Sequence, residues 1–120
     1  MLTRSREDYL EAILVQIKNA GACRVTDVAK QIGYTKASVS VALKKLEDDG
    51  YVYRDDWRVL LTEKGKVLAN ATYERHSFFL EWFRNLGVPD DTAKEDACRI
   101  EHVLSDETYE KLKEYVVNAG

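Results

Sequence analysis

The densest chemistry in this 120-residue sequence lies near its end, where Cys98, Glu101 and His102 stand at i, i+3 and i+4. On a helix that spacing puts a thiolate, a carboxylate and an imidazole on one face. Those three donor types form a ligand set for a divalent transition metal. Asp8 and Glu11, three residues apart, offer two carboxylates on one face of a first helix, and His76, the only other histidine, falls between the two groups. Each residue also has a plainer account. Asp8 and Glu11 suit a helix N-terminus electrostatically, Glu101 and His102 make a solvated pair, Cys98 is a small buried hydrophobe, and His76 beside Arg75 is a surface residue. Taken alone, these residues leave both accounts standing.

The elements that must carry them are readable from periodicity and caps. Ser5, with Asp8 three residues on, is the expected cap of a first helix. Its apolar positions Tyr9, Leu10, Ile13, Leu14 and Ile17 run to about Asn19, before Gly21. Thr26 is expected to cap a short helix, Asp27 to Ile32, that buries Val28, Ala29 and Ile32 and stops at Gly33. A third helix follows from Thr35 or Lys36 to Asp48, with Val39, Leu43 and Leu46 on one face. Beyond Gly50, Tyr51 to Arg54 and Arg58 to Leu61 are rich in β-formers and flank Asp55-Asp56-Trp57, the pattern of a hairpin. Thr62 opens a long helix to about Leu86, closed by Gly87; Asp90-Asp91 opens another to about Val103; Ser105 caps a last one through Val117.

Helix, short helix, glycine turn, longer helix and β-hairpin, in that order, make a winged helix-turn-helix. The expected fold is mainly α: a winged helix with a small hairpin wing over residues 1–62, then an all-helical dimerisation domain over residues 63–120. The N-terminal end of the third helix offers Thr35, Lys36, Ser38 and Ser40 to bases and phosphates, with Lys44 further along the same helix. Ala37 and Val41 suit thymine methyl groups. Thr26 at a helix start is placed to meet a phosphate, and Arg54 and Arg58 reach the backbone from the wing. The alternatives are a three-helix core with solvated serines and lysines, or a winged helix that binds protein.

Composition narrows the function classes. The net charge is -3, from 18 Lys and Arg against 21 Asp and Glu. Residues 1–62 are nearly balanced, and the excess acid follows Glu63, so a basic face on the first half is compatible with the total. No apolar run approaches the roughly 20 residues needed to span a membrane, and residues 1–9 lack the apolar stretch of a secretory signal, so the expected location is the cytoplasm. Cys23 and Cys98 are expected as thiols there, one of them a ligand. No nucleophile elbow, phosphate loop or dinucleotide fingerprint is present, and a small-molecule substrate is not expected.

The chain resembles the family of the diphtheria toxin repressor and the manganese transport regulator, short metal-dependent transcriptional regulators. The likeness is carried by Ser5 to Ile13, Arg24 to Ala29, Ser38-Val39-Ser40 with Leu43 to Leu46, Leu61 to Gly65, Arg75-His76, and Asp96 to Ser105. It implies a homodimer on a palindromic DNA operator and a metal held by Asp8, Glu11, His76, Cys98, Glu101 and His102. Asp8 is the manganese-branch residue and Cys98 the iron-branch residue. Leu80 and Lys94 stand where the iron branch places ancillary ligands, and Cys98 removes a carboxylate from a bridged metal pair. Mn2+ or Fe2+ is the expected cofactor, with Zn2+ able to bind in vitro. The sequence ends at Gly120, so the extra C-terminal domain of longer members is not expected.

Two rivals follow from the same residues. A thiol-based redox regulator would use Cys98, although the neighbouring Glu101 disfavours the thiolate such a sensor needs. A metallohydrolase would need an open coordination position and a substrate cleft, for which this length leaves little chain.

Overall fold

The computed structural model describes residues 2–119, with the side chains of residues 2–5 and 119 outside that description. Its elements are α1 (Leu2–Ala20), α2 (Val25–Ile32), α3 (Lys36–Asp48), β1 (Val52–Asp55), β2 (Arg58–Leu61), α4 (Glu63–Asn85), α5 (Asp90–Ile100) and α6 (Asp106–Ala119). The mainly helical fold with one hairpin is the one expected from the sequence. Contacts divide it into two compact units, Met1–Ala71 and Thr72–Gly120. The division falls inside α4, whose first turns bury Gly65 and Ala69.

In the first unit α1 buries Tyr9, Leu10, Ala12, Ile13 and Leu14, and α3 buries Val39, Leu43 and Leu46. Val52, Val59 and Leu61 supply the hairpin's share of this core. The two strands pair antiparallel, Val52 opposite Leu61 and Asp55 opposite Arg58. The connection is two residues long, and Asp56 takes φ 59, a left-handed conformation that a short polar side chain tolerates. β2 is also tied to the segment before α2, since Val59 N–H donates to the Cys23 carbonyl at 2.8 Å.

Two helix starts differ from expectation. α1 begins at Leu2, so Ser5 lies within the helix and not at its cap; its side chain is outside the described residues. α2 begins at Val25 with Arg24 as its N-cap, and the Arg24 N–H donates to Asp27 Oδ2 at 2.9 Å. Thr26 is therefore inside the first turn. The carboxylate three residues after the cap satisfies a donor that would otherwise be orphaned, and this contact moves the start two residues earlier, from Asp27 to Val25. In α2 only Val25 and Val28 are fully buried, while Ala29 and Ile32 are half-buried.

The second unit is built on aromatic packing. Phe79, Ala97 and Tyr109, from α4, α5 and α6, form its buried centre, with Phe78, Trp82, Phe83, Ile100 and Leu112 packed around them. The Phe78 and Tyr109 rings meet edge to face, 5.6 Å apart at 85°, a geometry favoured by the ring quadrupoles. α6 is capped as expected, Thr108 N–H donating to Ser105 Oγ at 3.1 Å. Among the described residues no helix is long and apolar enough to cross a membrane.

Candidate metal centre and nucleic-acid interface

α5 ends at Ile100, three residues before the expected Val103. Glu101 still donates its N–H to the Ala97 carbonyl at 3.2 Å, but His102 and Val103 bond back only three residues, to Arg99 and Ile100, at 3.3 and 3.1 Å. The last turn is thus tightened to a 3₁₀ pattern. The cause is the short passage into α6: Leu104 and Ser105 must reverse the chain before Asp106. Arg75 on α4 holds that passage, giving Nη2–H to the Leu104 carbonyl at 2.6 Å and Nη1–H to Asp106 Oδ1 at 3.0 Å, with its guanidinium 4.9 Å from the centre of the Tyr109 ring. Arg75 is a positioning residue that spacing alone did not reveal; its place beside His76 in the family-like stretch was the one available signal.

The tightened turn brings donors together. Glu101 Oε1 lies 3.6 Å from His76 Nδ1 and 3.5 Å from His102 Nε2. Both distances exceed a good hydrogen bond. Cys98, Glu101 and His102 each offer a ligand atom within 4.8 Å of the others, and His76 and Glu101 do the same. Glu101 is 3% exposed, and among the described residues neither carboxylate oxygen has a hydrogen-bond donor. A buried carboxylate without donors is costly to fold. A divalent cation would satisfy it, and thiolate, imidazole and carboxylate are the donor types such an ion takes. The residues of the second unit therefore fit a metal. Asp8 and Glu11 sit on α1 of the first unit, three apart and half-buried.

The two cysteines form no disulfide and differ in character. Cys23 is fully buried in the first unit, and burial, with Asp27 adding to it, pushes its thiol up to about 12. Cys98 is half-buried. In the folded, metal-free chain a maleimide at neutral pH is expected to modify Cys98 and spare Cys23, with both reacting after denaturation. Mass analysis showing two rapid additions to the folded chain would contradict this. Added metal is expected to slow the Cys98 reaction.

The nucleic-acid candidates all lie on the first unit and all are exposed: Thr26, Thr35, Lys36, Ala37, Ser38, Ser40, Val41, Lys44, Arg54 and Arg58. Lys36, Ser40 and Lys44 follow one another at four-residue steps along α3, beside Ala37 and Val41. Val41 is 73% exposed. Four of these side chains are engaged within the protein, among them Ser38, whose Oγ accepts from the Thr35 hydroxyl at 3.0 Å. Thr35 caps α3, its Oγ1 accepting from Ser38 N–H at 3.1 Å, while Lys44 pairs with Asp48 at 2.9 Å and Arg58 with Asp55 at 2.5 Å. These exposed pairs are weak and exchange readily for a phosphate.

Residues 1–57 match the profile of the iron-dependent repressor N-terminal DNA-binding domain, and residues 62–119 that of the iron-dependent repressor metal-binding and dimerisation domain. The chain is 34% identical over 117 residues to the HTH-type transcriptional regulator MntR of Lysinibacillus sphaericus, covering 97% of this chain and 84% of that protein. It is 40% identical over 117 residues to an uncharacterised HTH-type transcriptional regulator of Methanocaldococcus jannaschii, covering 93% and 92%. Among solved structures, a manganese-dependent transcriptional repressor in complex with manganese superposes with a TM-score of 0.82 at 27% identity. That match covers 92% of this chain and 51% of the solved one.

Proposed function

This chain belongs to the iron-dependent repressor family of DNA-binding regulators, and we propose from that premise that it represses genes of metal-ion homeostasis when loaded with Mn2+ or Fe2+. It is a metal-dependent transcriptional regulator and not an enzyme. We assign residues 1–62 to the DNA-binding head and residues 63–120 to the dimerising, metal-binding part. The observation that carries the reading is Glu101: a buried carboxylate with no hydrogen-bond donor among the described residues, facing two imidazoles and close to a thiol.

The proposed ligands are His76, Cys98, Glu101 and His102, with Asp8 and Glu11 added from the likeness in sequence. A bound divalent ion would supply positive charge to these ligands. The consequence lies with the protein. With Asp8 and Glu11 held, the two heads of a homodimer sample fewer separations and favour the spacing of two half-sites in a palindromic operator. Lys36, Ser40 and Lys44 on α3 meet bases and phosphates, Ala37 and Val41 thymine methyls, Thr26 a phosphate, and Arg54 and Arg58 the backbone beside the wing. No small-molecule substrate takes part, and such a regulator works in the cytoplasm, where its DNA is.

Cys98 draws the site towards thiophilic ions, and Zn2+ outranks Mn2+ and Fe2+ at most mixed donor sets, so Zn2+ binds in vitro as well. Coupling between metal and DNA of about 1–3 kcal/mol corresponds to roughly 5- to 150-fold tighter operator binding with metal than with chelator. Fluorescence anisotropy on a duplex that the metal-loaded protein selects from a randomised pool measures it. Equal affinity in chelator and in metal would remove the sensor function.

A further inference from the structure

The seam between the wing and α2 carries a cation, Arg24, that is not among the DNA-facing residues named above. The Arg24 guanidinium lies over the indole of Trp57, 4.3 Å from its ring centre. Trp57 is at the tip of the hairpin, next to the left-handed Asp56, and is 43% exposed. The backbone on both sides is pinned. Arg24 N–H is held by Asp27, and β2 is bonded to the residue before Arg24 through Val59 N–H and the Cys23 carbonyl. Arg58, Arg75, Arg84 and Arg99 each give their guanidinium to a carboxylate. Among the described residues, Arg24 has only the indole. A stacked guanidinium has one face covered while its in-plane N–H donors stay available, in a fork that matches a phosphate. The charge is undiminished, and the stack restricts the motion of a long side chain.

We propose that Trp57 is a positioning residue that holds the Arg24 guanidinium for a backbone phosphate of the DNA, at the seam between helix-turn-helix and wing. The inference rests on the DNA-binding function of the winged helix. It adds one phosphate contact per head that neither α3 nor the wing arginines provide. The indole itself makes no base contact in this arrangement; its part is to orient Arg24.

The test uses the full metal-loaded chain and the duplex that the wild type selects, with affinity measured from about 50 to about 300 mM salt. Arg24→Ala is expected to weaken binding about 10-fold and to reduce the salt slope by about one per head. Trp57→Ala is expected to weaken binding several-fold in the wild-type background and not at all in the Arg24→Ala background, while Trp57→Phe retains most of the affinity because it keeps an aromatic face. An unchanged salt slope in Arg24→Ala would overturn the phosphate contact. A Trp57→Ala penalty of the same size with and without Arg24 would overturn the positioning role, whatever its cause. Metal titration and thermal melts of each variant separate a folding defect from these outcomes, because Arg24→Lys keeps the charge and the fold but not the stacked fork. A wild-type chain that binds no duplex with metal would overturn the functional reading itself, whereas normal wild-type binding with indifferent variants overturns this inference alone.

Discussion

Glu101→Ala is expected to lower the affinity for Mn2+, anaerobic Fe2+ and Zn2+ by about 100-fold or more, exceeding the roughly 10- to 100-fold that outer partners of a metal site contribute. Isothermal titration of the metal-free chain measures it, and His102→Ala is expected to behave in the same way. The stability of the metal-free protein should move in the opposite direction. Among the described residues Glu101 is buried with no donor on either oxygen, so a neutral methyl in its place relieves an electrostatic cost and leaves the metal-free melting temperature unchanged or higher. Metal at roughly 100 times its dissociation constant adds about 2.7 kcal/mol to the wild type. That gain should vanish in the variant. Wild-type affinity in Glu101→Ala would show that the metal sits elsewhere, and a large loss of metal-free stability would show that the carboxylate is a structural group.

The second large effect concerns the corner where the wing hands over to α4. Gly65→Ala is expected to destabilise the protein by about 2–3 kcal/mol, the range for forced overpacking, lowering the melting temperature by about 10 °C. A Cβ at Gly65 would overlap the Tyr51 carbonyl. That carbonyl accepts the Thr62 N–H at 3.1 Å, the Thr62 hydroxyl donates to the adjacent Gly50 carbonyl at 2.6 Å, and Thr62 Oγ1 in turn accepts the Gly65 N–H at 3.0 Å as the cap of α4. The obstruction is backbone, which has no rotamer to yield, so relief requires moving β1 or unwinding the first turn of α4. Lys66→Ala, next along the helix and exposed, should be nearly neutral. A thermal melt of Gly65→Ala within a degree or two of wild type would show that the corner relaxes cheaply.

Local signals were the ones legible in the sequence. The order of six helices and one hairpin, the helix start at Thr62, the cap Ser105, and the buried stripes of α1 and α3 follow from periodicity and from residues acting on backbone groups a few positions away. The misplaced starts at Ser5 and Thr26 and the overlong α5 are failures of the same local reading. In the last two, a neighbouring group completed or cut short a turn: Asp27 reached back to Arg24, and the passage through Leu104 into α6 tightened the residues after Ile100.

Residue types and their spacing determined by themselves that this chain holds a winged helix and a helical second half, because those features depend on side-chain identity and helical repeat. Only the tertiary structure decided that Glu101 is buried without donors while facing His76 and His102, that Gly65 must lack a Cβ, that Arg75 pins the turn before α6, and that Arg24 stacks on Trp57. Each of those depends on residues distant in sequence meeting in space, and burial, desolvation and steric fit belong to the packed neighbourhood rather than to any run of adjacent residues.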